Sequence, residues 1–166
     1  MKTALPVPTS SSITAEDEAA LIDLYKRGTP SNTLRAWESD LAYIAAWKAA
    51  VFGKALLWPE EDRVALRFVL DHSIDLTNAP GSAQDAAVEL ITRGLRRSLS
   101  CPAPSTLDRR ISSWRAFHRM KNLASPFDAP LLKQACAKAR KAAADLAAAD
   151  KARFAAKSAA MENIAN

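Results

Sequence analysis

Glycine is nearly missing from this chain, with four in 166 residues, and cysteine occurs only twice. With so little glycine, few β-branched runs and abundant Ala, Leu, Arg and Lys, the composition favours an all-helical protein. Cys101 and Cys136 lie 35 positions apart with no Cys-x-x-Cys spacing. Free thiols of a cytoplasmic protein therefore fit better than a disulfide or a metal site. No uncharged apolar run reaches the ~18 residues of a membrane span. The opening residues 1–10 hold no continuous apolar segment that would serve as a signal peptide. Common enzyme signatures are missing too: there is no phosphate-binding loop, no Gly-x-Gly-x-x-Gly, no His-Glu-x-x-His and no Gly-x-Ser-x-Gly. No cofactor is expected.

What is present is apolar bulk and a lopsided charge. Hydrophobic residues make up 49% of the chain, enough for one domain with extensions, although alanine supplies much of that share. Residues 1–81 carry 8 Lys+Arg against 11 Asp+Glu, a net of −3, while residues 82–166 carry 15 against 7, a net of +8. A basic surface built by the C-terminal half points to an anionic partner, most simply nucleic acid.

The chain divides into a Pro- and Ser-rich arm over 1–13, expected to be disordered, a helical domain over 14–141 and an Ala-rich tail over 142–166. Thr14 offers an N-cap with Glu16, Asp17 and Glu18 behind it, and Gly28 and Pro30 end that helix, whose apolar side is Leu21, Leu24 and Tyr25. A second helix starts at Ser31 or Asn32 and stops at Gly53, with Leu34, Trp37, Leu41, Ile44, Lys48 and Val51 near one face. Trp58-Pro59 followed by three acids predicts a third helix start, with Val64, Phe68, Val69 and Ile74 pointing inward. Ser82 is expected to cap a fourth helix through about Arg97, with Ala87, Leu90, Ile91 and Leu95 inward. A rigid connector over 100–104 leads to a fifth helix over 106–121. A sixth begins at Asp128-Ala-Pro130, with Leu131, Leu132, Ala135 and Ala139 as its stripe. Residues 135–160 contain 14 alanines, which give helix propensity but little area to bury.

The fifth helix carries the most chemistry. Leu107, Ile111, Trp114 and His118 form one apolar stripe, so His118 reads as a buried, hydrogen-bonded structural residue. Arg109, Ser112, Ser113 and Arg119 lie away from that stripe, with Arg110 and Arg115 on its flanks. Ser105 or Thr106 as N-cap would leave free N–H groups where a phosphate oxygen can bind, next to an arginine fork. Ser31, Asn32 and Thr33 offer a similar cap, with Arg35 pointing outward. Ordinary N-caps and solvated basic faces account for the same residues without any partner.

Two runs carry a family resemblance. Asn32-Thr-Leu-Arg-Ala-Trp37 with Asp40-Leu41 and Trp47, and Pro104-Ser-Thr-Leu107 with Arg110-Ile-Ser112, Trp114 and His118-Arg119, occur in order and at compatible spacing. Leu123-Ala-Ser-Pro126 and Asp128-Ala-Pro-Leu131 follow. Together, over residues 15–141, they resemble the N-terminal SAM-like core-binding domain of tyrosine recombinases (phage integrases). That resemblance implies an orthogonal bundle of about five to six short helices that clamps duplex DNA, with terminal helices touching neighbouring protomers. It makes Asn32, Thr33, Arg35, Ser105, Thr106, Arg109 and Arg110 the DNA-contact expectations. Arg119, Lys121, Lys133 and Arg140 follow on charge.

The chemistry of such recombinases needs a nucleophilic tyrosine, two arginines and a His-x-x-Arg signature in a separate C-terminal domain. This chain has only Tyr25 and Tyr43, both in its N-terminal helices, and neither His72 nor His118 opens a His-x-x-Arg. The expectation is therefore a DNA-binding module without catalysis. A helical protein-interaction module, or an inert fragment of a recombinase, is the other class that the residues allow.

Overall fold

In the computed structural model of the protein, which describes residues 13–165, every regular element is helical, as the composition predicts. The order is α1 (Ala15–Gly28), α2 (Ser31–Phe52), α3 (Asp62–Asp71), α4 (Ser82–Thr92), α5 (Pro104–Met120), a 3-10 turn (Pro126–Asp128) and α6 (Pro130–Ala165). Apart from Ile13, the N-terminal arm lies outside the described residues. Among these residues no helix is long and apolar enough to cross a membrane.

Helix α2 is the central rod, packed on α4 and α5, while α3 packs on α6 and the 3-10 turn. The core gathers Tyr43, Ile44 and Trp47 of α2, Val64, Phe68 and Val69 of α3, Leu90 of α4, and Leu107, Ile111 and Trp114 of α5. Phe127 and Leu132 close it from the C-terminal side. Phe68 is its hinge of aromatic contact, edge-on to Trp47 at 5.0 Å and to Trp114 at 5.5 Å between ring centroids. Each such pair adds about 0.5–1.5 kcal/mol beyond the area it buries.

Among the polar groups buried in this core are three hydrogen-bonded ones: the Lys48–Glu60 pair, His118 and His72. Lys48, on the predicted apolar face of α2, is buried and its Nζ donates to both carboxylate oxygens of Glu60, at 2.9 and 3.0 Å. Glu60 in turn accepts from the backbone N–H groups of Leu57 and Glu61. Its own N–H donates to His118 Nε2 at 3.1 Å, while His118 Nδ1–H donates to the Trp114 carbonyl. His118 thus has the buried structural role that its place in the stripe predicts. His72 is the third group. Its Nδ1–H donates to the Phe68 carbonyl and its Nε2 accepts from the Tyr43 hydroxyl, both at 2.7 Å. Burial pushes the His72 pKa down to about 3.

Several boundaries differ from expectation, each for a local reason. Thr14 caps α1 with a reciprocal bond from Asp17, as predicted, but Leu24 is exposed because α1 buries no residue fully. Pro59 does not open α3: the Trp58–Pro59 bond is cis and the helix begins three residues later, at Asp62. That helix ends at Asp71, leaving Ile74 exposed in the following turn. The fourth helix stops at Thr92, five residues early. Gly94 at φ +74° lets the N–H groups of Leu95 and Gly94 fold back onto the Leu90 and Ile91 carbonyls, a Schellman stop. Leu131 faces solvent, since α6 turns Leu132 alone of that pair into the core. Nor are all the helices short: α2 has 22 residues, and α6 has 36 because it runs straight through the Ala-rich tail.

Two outcomes follow. Lys48→Met leaves the Glu60 carboxylate buried without its counter-charge, so it should lower unfolding free energy by about 3–5 kcal/mol in urea titrations. Because native His72 stays unprotonated down to about pH 3 while the unfolded side chain protonates near 6.5, the unfolded state binds the extra proton in between. Stability should fall as pH drops below 6.5, with His72 contributing a slope approaching about 1.4 kcal/mol per pH unit. His72→Gln should flatten that slope between pH 6.5 and 5.

Candidate nucleic-acid interface

Helices α2 and α5 run antiparallel, and that pairing sorts the predicted contact residues. At one end Trp37 meets Phe117, with ring centroids 6.3 Å apart. In the middle Asp40 meets Arg109 and Ser113. At the other end Arg110 stacks on the Tyr43 ring, 3.5 Å from its centroid. The start of α2, with Asn32, Thr33 and Arg35, therefore lies beside the C-terminal end of α5, away from Ser105 and Thr106. The two capped helix starts do not form one site.

Neither cap takes the predicted form. Pro30 is the N-cap of α2 and Ala103 that of α5, and neither helix start has a side-chain cap bond. Ser105 and Thr106 sit one and two residues inside α5, after Pro104, and Ser31 sits inside α2. Proline at the first turn supplies the fixed φ in place of a capping hydroxyl. Asn32 instead accepts from Arg35 Nη2 at 3.0 Å.

The arginines of α5 divide into bound and available groups. Arg109 is not a free outward cation: its guanidinium grips the Asp40 carboxylate through Nε and Nη2, at 2.9 to 3.2 Å. Ser113, predicted to lie away from the core, is buried and donates to the other side of the same carboxylate at 2.7 Å. Asp40 is buried, so this fork is what permits its charge to be there. Arg110 lies half-buried on Tyr43, and its Nε–H has no partner. Loss of hydration outweighs the opposing pull of Tyr43 and Asp40 and, with a smaller push from Arg109 and Arg96, holds its pKa below the usual arginine value. Burial also raises the Tyr43 pKa, against the pull of Arg110 and Arg96.

Around the N-terminus of α5 these side chains close a cleft of about 470 Å³. Its lining includes Arg96, Arg97, Thr106, Arg109 and Arg110, with Ser98, Ser100 and Cys101 between them, and no carboxylate. Arg96 and Arg97 are the residues that sequence reasoning missed. Assigned to the end of the fourth helix, they instead stand in the linker that the Gly94 stop creates. Arg96 ties that linker down, donating to the carbonyls of Ser98 and Ser100 at 2.7 and 3.1 Å. Arg97 is exposed and has no ion-pair partner among the described residues. The adjacent Arg-Arg pair before the Ser- and Pro-rich connector was the signal available in the sequence. The cleft can hold an anionic oxygen: convergent guanidinium donors, the Thr106 hydroxyl in the first turn of α5, and a lining without carboxylates.

The remaining predicted contacts are dispersed. Arg140 Nε donates to Asp108 at 2.8 Å, a bond that raises the Arg140 pKa and ties α6 to α5. Arg119 opens onto a shallow hollow with Arg115, Leu123, Ser125 and Asp128, where Arg115 pairs with Asp128. Lys121 rests 5.2 Å from the centroid of the Trp58 ring, and Lys133 is exposed near the start of α6. Cys101 and Cys136 are both free thiols, half-buried, with pKa raised by burial.

Removing Arg109 should cost stability before it costs binding. Arg109→Ala strands the Asp40 carboxylate with only the Ser113 hydroxyl, and the melting transition should report a loss of about 1–3 kcal/mol. Asp40→Asn in the Arg109→Ala background should recover part of that loss, as a neutral amide is cheaper to bury. Compared with protein-family models, with curated proteins and with solved structures, the chain matches none of them.

Proposed function

We propose that the chain is a DNA-binding module that grips the sugar-phosphate backbone of duplex DNA and performs no chemistry of its own. The observation that carries this reading is the carboxylate-free cleft where Arg96, Arg97, Arg109 and Arg110 converge on the first turn of α5. Such a cleft has room for a backbone phosphate with its sugar neighbours. Further cations, Arg119 and the Asp128-paired Arg115, continue along the exposed side of α5, a 17-residue helix about 25 Å long. That spread suits a polyanion with regularly spaced phosphates better than a small anion. The same reading agrees with the resemblance to the core-binding domain of tyrosine recombinases, whose second motif falls on α5. It moves the weight of contact from the start of α2 to the α4–α5 linker.

A protein-interaction role draws on a different observation, an apolar groove of about 660 Å³ lined by Leu34, Trp37, Leu41, Trp58 and Phe117 at the other end of α5. The two readings separate in one titration. Labelled duplex DNA, followed by fluorescence anisotropy between about 50 and 200 mM salt, should bind with an affinity that falls steeply as salt rises. Arg97→Ala, which removes a free cation and no internal partner, should weaken binding about five- to tenfold and lower the salt slope by about 1. Arg63→Ala on α3, paired with Glu61, should leave both unchanged. A folded protein that binds no duplex at low salt, or one indifferent to Arg97, would sink the reading.

A further inference from the structure

From residue 144 to 165, α6 leaves the domain: every residue except Ser158 is exposed. At 1.5 Å per residue this stretch projects about 33 Å into solvent. Alanine sustains such a helix only marginally when nothing packs against it. Its apolar residues are nevertheless aligned. Leu146, Phe154, Met161 and Ile164 are 52, 73, 65 and 85% exposed, and with Ala143, Ala147, Asp150 and Lys157 they recur at steps of three and four. On a helical wheel all eight fall within an arc of about 100°. Singly exposed apolar residues need no explanation, but a continuous stripe marks a contact surface.

We propose that this stripe pairs with the same stripe of a second copy, the two α6 tails lying antiparallel about a two-fold axis that crosses between Arg153 and Phe154. The charges inside the stripe choose the partner and the direction. A parallel, in-register pair would set Asp150 against Asp150 and Lys157 against Lys157. The antiparallel pair sets Asp150 of each copy opposite Lys157 of the other, twice over by symmetry. In that register Leu146 stands opposite Met161, and the small Ala143 stands opposite the large Ile164. The two Phe154 rings meet at the axis. Lys157 has no ion-pair partner in its own chain among the described residues, while Asp150 bonds to Arg153, which also lies beside the axis. The alanines flanking the stripe let two helices approach to the ~8–10 Å of ordinary helix packing.

Sedimentation equilibrium of the full chain, without DNA, tests the pairing separately from nucleic-acid binding. The wild type should show a concentration-dependent monomer–dimer equilibrium. Phe154→Asp should be monomeric with its near-ultraviolet circular dichroism unchanged, since that residue touches no core. Asp150→Lys and Lys157→Asp should each weaken dimerisation about tenfold or more, and the double exchange D150K/K157D should restore it to within about threefold. A parallel dimer would ignore the single exchanges, because each only replaces one like-charge pair by another. Monomer at every concentration, a dimer that survives Phe154→Asp, or single exchanges without effect would each overturn the proposal.

Discussion

The ion pair between Lys48 and Glu60 ties the irregular segment before α3 to the packed pair of α2 and α5. Lys48 comes from the C-terminal part of α2, Glu60 from the irregular segment before α3, and His118 from the far end of α5, which reaches Glu60 through its backbone N–H. Burying two charges is unfavourable unless each is fully bonded. Here the ammonium spans both oxygens, and each oxygen accepts a backbone N–H as well. A hydrophobic pair of the same volume would fill the space, but it would not make the four hydrogen bonds that join Glu60 to Lys48, Leu57 and Glu61. Trp58 is then set against His118 at 4.8 Å between centroids and beside Phe117, which builds one wall of the apolar groove.

Asp40 plays a parallel part in the middle of the same helix pair. Its buried carboxylate fixes the Arg109 fork and Ser113, and so fixes the rotation of α5 against α2. With that rotation set, Arg110 is carried over Tyr43 and towards Arg96 and Arg97. The arginine-lined cleft is thus a by-product of a structural charge pair: one arginine neutralises the core, and its neighbours are left with charge to spare.

The sequence carried the helices well and their polar detail poorly. The three-and-four spacing of Leu107, Ile111, Trp114 and His118 located the buried stripe of α5, and Gly53 and Thr14 marked two true ends, because these signals are local. Two kinds of feature were not local, and one local stop, Gly94, was read too weakly. Lys48 looked like an intruder on an apolar face because its partner is twelve residues away in an irregular segment. Ser113 and Arg109 looked solvent-facing because the buried Asp40 that claims them sits on another helix. Arg96 and Arg97 were assigned to a helix that a single glycine ends early. The arginine-rich character of α5 was legible; which arginines remain available depends on long-range pairing that no spacing rule encodes.

Helix α6 has a consequence of its own for how the molecule transmits force. Its first turns are anchored by Leu132 in the core and by the Arg140–Asp108 bond, and no break separates that root from the tip at Ala165. Root and tip therefore share one heading. Anything that packs along this stretch and stiffens it acts through a long lever on a short anchored base. It would report there as torque on α5, the helix whose first turn forms the floor of the arginine cleft.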